Sequence, residues 1–229
     1  MAILGAVIVP HPPLIISTVG HGREQEVQST IDAYRAATKQ AAAWNPEVLI
    51  ITSPHQIMYS DYFHISPGRG ATGDMAAFGA SETKLRVEYD AQLRDEIIRC
   101  GESAGLQVGT LGQRDPYLDH GTFVPLYFLR EAGVDCPILR IGLSGFSPLD
   151  HYRLGQCIAQ AVENLGRRAV FIASGDLSHK LKDDGPYGFA PEGPEFDRQI
   201  TGAMAEGDFL RFLTMDPALC DRAAECGLR

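Results

Sequence analysis

Four of the seven histidines in the chain stand where a sequence element begins or ends. Imidazoles so placed can bind metals or move protons near neutral pH. The stretch 169–181 (AVFIASGDLSHKL) is apolar and β-branched at first, breaks at Ser174-Gly175, then presents Asp176, Ser178 and His179. A buried strand that ends in a small-residue turn and then offers ionisable groups is how open α/β sheets build sites at the carboxyl ends of their strands. His11 follows another apolar run, 2–10, and sits between Pro10 and Pro12-Pro13, which fix φ and hold the imidazole stiffly. His55 follows a third run, 48–52, in Ser53-Pro54-His55, so strand, proline and histidine recur together. His120, in Asp119-His120-Gly121-Thr122, precedes an apolar helix over 123–131 with Pro125 in its first turn. The positive end of a helix dipole keeps an imidazole there neutral. One shared site explains this repetition better than independent accidents. Two imidazoles and one carboxylate, with open positions left over, suit a non-haem Fe(II) centre. His11 and His55 are the natural imidazole ligands, and the carboxylate must come from elsewhere. His21, His64 and His151 read as structural.

The elements that must position these groups alternate along the chain. Strands are predicted at 2–10, 48–52, 61–66, 85–89, 107–111, 137–143 and 169–173, with helices at 27–44, 91–104, 123–131 and 151–165 between them. A Gly/Pro-rich loop, 182–194, carries Tyr187 and Phe189 and could close over a pocket beside His179. Short helices at 195–204 and 208–213 follow, then a last helix from 218 to about 227 containing Glu225. The pattern predicts an α/β fold: a single three-layer domain, 1–229, with a central mixed, mostly parallel sheet and helices on both faces. Gly68, Gly70 and Gly73 satisfy G-x-G-x-x-G, but Pro67 precedes them and Gly79 and Ser81 follow closely, leaving no room for the helix a dinucleotide site needs. Residues 67–82 therefore read as a flexible loop. The last helix stops just beyond Glu225 with nothing to pack behind it, so the natural domain is expected to continue.

Composition narrows the function. The net charge is −9 and no basic block interrupts it, which argues against nucleic-acid binding. No apolar run reaches the length of a membrane span. The apolar start lacks a basic region and a cleavage site, and reads as a first strand. The five cysteines are scattered and form no C-x-x-C pair, as expected of reduced thiols in a cytoplasmic protein. Gly142-Leu143-Ser144-Gly145 lacks the spacing of a serine-hydrolase elbow.

The ordered set PHPPLI, SPH, DHGTFVPL, SGDLSH and AECG resembles the class III extradiol ring-cleavage dioxygenases of the LigB type, across nearly the whole chain. The resemblance implies a LigB-like fold, with His11, His55 and Glu225 as metal ligands, His179 as the acid–base histidine and His120 as a second-sphere histidine for substrate and oxygen. It implies an Fe(II) cofactor, a small aromatic diol and dioxygen as reactants, and a homo-oligomer. Asp176 stands where such enzymes usually carry a second glycine. That acid, together with AECGLR, is similar to the AmmeMemoRadiSam group, which includes Memo-like members that keep the metal pocket with another reaction or a protein-partner role, and chains in which the domain is joined to a second one. Asp176 could pair with His179 or supply another oxygen ligand, and Tyr187 could line the substrate pocket. Zinc or another divalent metal on the same ligands, with a bound water, is the hydrolytic alternative.

Overall fold

The computed structural model describes residues 3–228; Ala2, the expected start of the first strand, lies outside them. Four strands form the central sheet: β1 (Ile3–Val9), β2 (Val48–Ser53), β7 (Ile138–Gly142) and β8 (Ala169–Ser174). Their order is β1-β8-β2-β7, and every pairing is parallel. The register of Val9 with Ser174, and of Ser53 with Gly142, aligns the carboxyl ends of all four strands along one edge.

Alternation along the strands divides the core. In β2, Leu49 and Ile51 pack into one cluster with Tyr34, Phe123 and Phe128, whereas Val48 and Ile50 pack into another with Leu93, Ile97 and Ile158. The first cluster belongs to helices α2 (Gln28–Ala43) and α4 (His120–Glu131), and the second to α3 (Ala91–Ser103) and α5 (Pro148–Asn164). Helices thus cover both faces, as a parallel sheet requires, because both of its faces are apolar. A short helix, α1 (Ser17–Gly20), follows β1, and β3 (Phe63–His64) pairs in parallel with β6 (Val108–Gly109). The antiparallel part of the expected mixed sheet stands apart from the main sheet, as a hairpin.

That hairpin corrects the sequence reading of 67–82 as a flexible loop. β4 (Gly70–Met75) pairs with β5 (Ala80–Glu88) through a turn closed by Gly79 at φ 83°. The glycines serve close backbone approach: a Cβ on Gly70 would stand 2.1 Å from the Val87 carbonyl oxygen. Several helix boundaries also differ, two of them at the site. α4 starts at His120, because Asp119 caps it by accepting from the Thr122 N–H at 2.9 Å. Pro125 is therefore interior to the helix and not in its first turn. The last helix, α8 (Pro217–Ala223), ends before Glu225 because Ala224 turns left-handed at φ 51°. Before it come α6 (Glu192–Glu206) and the single turn α7 (Leu210–Leu213).

Candidate metal and proton-transfer site

The strand ends and the N-terminus of α4 bring three imidazoles together. The His11 and His55 ring centroids are 4.8 Å apart, those of His55 and His120 4.0 Å, and those of His11 and His120 5.3 Å. His11 is 1% exposed. Its backbone N–H donates to Asp176 Oδ1 at 2.8 Å, its Nδ1 meets Ser174 Oγ at 2.9 Å, and its Nε2 lies 3.0 Å from His55 Nε2. Burial foremost lowers the His11 pKa to about 4, with the neighbouring imidazoles adding to the effect and Asp176 opposing it. Burial, then His55, also lowers the pKa of His120. The sequence reading assigned that neutrality to the helix dipole, whereas desolvation leads it here.

Hydrogen bonds hold this half of the site from below. The Ser53 hydroxyl donates to Asp119 Oδ1 at 2.6 Å and accepts from the His55 backbone N–H at 3.1 Å. Asp119 also accepts from the Thr122 hydroxyl at 2.8 Å and faces the buried Arg140 at 3.7 Å. Arg140 in turn donates to the carbonyls of Asp115 and Tyr117. One carboxylate therefore ties the His55 loop to the helix that carries His120.

The other half comes from the segment after β8 and the end of the chain. Asp176 and Cys226 pair through their backbones, with the Cys226 N–H donating to the Asp176 carbonyl at 3.2 Å. Gly175 and Gly227 permit this: a Cβ on Gly227 would stand 2.5 Å from the Gly175 Cα. His179 Nδ1 lies 2.6 Å from the Ala224 carbonyl oxygen, which can only accept, so Nδ1 is the donor there and Nε2 is the ring nitrogen left toward Asp176. That Nε2 is 3.8 Å from Asp176 Oδ2, which is itself 3.6 Å from His11 Nε2. Tyr187, from the loop that follows, lays its ring 4.9 Å from that of His179. An antiparallel bridge between Leu181 and Phe189 closes the loop at its base.

Two overlapping groups of donors could hold a metal ion. The ligand atoms of His11, His55 and Cys226 all lie within 4.8 Å of one another, and so do those of Asp176, His179 and Cys226. Two imidazole nitrogens and a thiol suit a divalent transition metal. The facing Nε2 atoms of His11 and His55 fit one ion between them. Burial first raises the Cys226 thiol to about 11, so metal binding would have to displace its proton. Glu225 belongs to neither group. Its carboxylate accepts from the Leu228 N–H at 2.9 Å, and it lines a cavity of about 380 Å³ with Pro54, Met58, Leu143 and Cys226.

Sequence reasoning missed Cys226, although it stands beside Glu225 in AECG, and it missed the supporting roles of Asp119, Ser53 and Ser174. The three histidines read as structural stay out of the cluster. His21 ends α1 in the left-handed conformation, His64 is buried in β3 with its ring 5.9 Å from that of Tyr59, and His151 accepts from the Ser144 N–H at 3.3 Å.

No helix among the described residues is long and apolar enough to cross a membrane. The protein CA_C1420 of Clostridium acetobutylicum is 33% identical to this chain over 236 residues, covering 100% of the chain but only 50% of the relative. The chain thus spans half the length of that relative. The 3,4-dihydroxyphenylacetate 2,3-dioxygenase of Escherichia coli is 24% identical over 95% of the chain and 83% of its own length. The 2-aminophenol 1,6-dioxygenase beta subunit of a Pseudomonas species is 28% identical over 77% of the chain and 63% of its own length. The family model for the catalytic LigB subunit of aromatic ring-opening dioxygenases matches residues 5–229, and the chain belongs to the LigB family.

Proposed function

We propose that the chain carries a metal-dependent centre that opens a catechol-type aromatic ring with dioxygen. The observation that carries this reading is the convergence of His11, His55, His120 and His179 around Asp176, in a family named for that reaction. His11 and His55 would hold the ion, with Fe(II) the metal expected, and Cys226 or a reoriented Glu225 would complete the set. The bound metal would supply Lewis acidity and a common anchor for diol and dioxygen.

The protein's own groups handle the protons. His179 is anchored through Nδ1–H to Ala224, so it accepts the diol proton at Nε2, and Asp176 then faces the resulting imidazolium. His120, kept neutral by burial, donates or accepts a hydrogen bond at the oxygen-bearing side without competing for that proton. Tyr187, half exposed with its ring beside that of His179, offers aromatic surface to a substrate ring while limiting water.

The test is oxygen uptake with a panel of catechols after anaerobic Fe(II) loading. Uptake is expected from the wild type, and His179→Ala is expected to lower the rate by about 10²–10⁴-fold, the usual worth of a positioned acid–base group. No uptake across the panel would sink the reading.

A second reading, a metal centre with a different reaction or a partner-binding role, is favoured by one observation: the thiol of Cys226 joins the histidines and the carboxylate of Glu225 does not. Under it, Cys226→Ser weakens metal binding and Glu225→Gln leaves it unchanged, as read by metal competition. The opposite ranking returns the site to the two-histidine, one-glutamate pattern.

A further inference from the structure

We propose that Ser174 is a positioning residue for His11, aimed by a helix carbonyl that Pro125 leaves without its usual donor. Pro125 lies inside α4 and has no N–H, so the carbonyl of Gly121, four residues earlier, lacks the helical hydrogen bond it would otherwise accept. A buried carbonyl needs a partner. The Ser174 hydroxyl fills that need, its Oγ lying 2.5 Å from the Gly121 oxygen. Because the carbonyl can only accept, the single hydroxyl proton of Ser174 is committed to it.

The consequence reaches the site. Ser174 Oγ is also 2.9 Å from His11 Nδ1, and with its proton already given away it can only accept there. His11 must therefore carry its proton on Nδ1, which leaves the Nε2 lone pair directed at His55 and Cys226. In the metal-free protein the short contact between the two Nε2 atoms then requires His55 to be the donor. The two imidazoles are thus unequal. His11 is set in the tautomer a metal needs, whereas His55 must shift its proton from Nε2 before it can bind. A proline that costs the helix one hydrogen bond orients the ring through two others.

This inference rests on the reading of His11 as a metal ligand, so its test begins without metal. Long-range ¹H–¹⁵N NMR of the metal-free protein labelled in histidine is expected to show His11 protonated on Nδ1 and His55 on Nε2. The Nε2–H form of His11 overturns the relay whether or not metal binds, and it decides the matter even if the variants fail to fold. Zinc affinity, measured by competition with a chromophoric chelator, forms the second arm. Ser174→Ala is expected to weaken zinc binding by about 10–100-fold, the usual effect of removing a ligand's hydrogen-bond partner. Pro125→Ala returns an N–H to the Gly121 carbonyl, and is expected to raise the melting temperature while weakening zinc binding by a smaller factor. Unchanged affinity in Ser174→Ala overturns the positioning role. A wild type that binds no zinc or iron counts against the site reading, and the tautomer measurement stands apart from it.

Discussion

The two halves of the site are held in different ways. His11 and His55 follow β1 and β2, parallel strands that flank β8, and buried side chains (Ser174, Ser53 and Asp119) fix the rings and the loops that carry them. Cys226 and His179 are held mainly by backbone contacts between the segment after β8 and the left-handed turn after α8. The first half is positioned by a sheet with helices on both faces. The second depends on two strands of irregular chain that meet at Gly175 and Gly227. Histidine geometry therefore tolerates little change, whereas the Cys226 thiol and the His179 imidazole move as one unit if the terminal turn shifts.

The contrast can be broken most forcefully on the sheet side. Asp119→Ala removes a helix cap, the Ser53 contact and the carboxylate facing buried Arg140. Loss of one partner of a buried ion pair costs about 3–5 kcal/mol, and chemical denaturation should read a loss of that size. A nearly neutral result would mean that the carbonyls around Arg140 satisfy it alone. Acid offers a second, somewhat smaller effect. His11 has a folded pKa of about 4 against an ordinary 6.5, so the unfolded chain takes up the proton first as pH falls. The stability contributed by neutral His11 is complete above about pH 6.5 and is lost on going down to about 4, a change of about 3 kcal/mol for the metal-free protein. The buried His120 acts in the same direction. Unfolding free energies measured across that window, with His11→Gln as the flattened control, check the sign. The smallest effect probes the terminal turn. Ala224 adopts a left-handed conformation that costs a residue with a Cβ about 1–2 kcal/mol, so Ala224→Gly should raise stability by about 1 kcal/mol. A decrease would show that the turn is not strained.

The same division decides what was legible in the sequence. Strand ends followed by proline and histidine are local patterns, and the structure brings those residues together as their repetition implies. The helix after Asp119 was equally legible apart from its first turn, because capping by a side chain shifts the start by three residues. The hairpin at Gly70–Met75 was hidden, since glycines that allow close backbone approach look the same as glycines that allow mobility. Cys226 was hidden for a stronger reason. Its partner, Asp176, lies far away in sequence, and their pairing needs a left-handed Ala224 that no local signal announces.

The strand order β1-β8-β2-β7 has a consequence for how the molecule is made. β8 inserts between β1 and β2, so the central sheet cannot close until residues 169–174 have been synthesised. Until then a nascent chain holds two apolar strands with unpaired inner edges, the kind of surface that chaperones shield and that aggregates if left open. Parallel pairing across such sequence distances also makes for slow folding. Since Ser174, Asp176 and His179 arrive with or just after β8, the step that completes the sheet also brings them to His11, and the pairing of Asp176 with Cys226 must wait for the end of the chain.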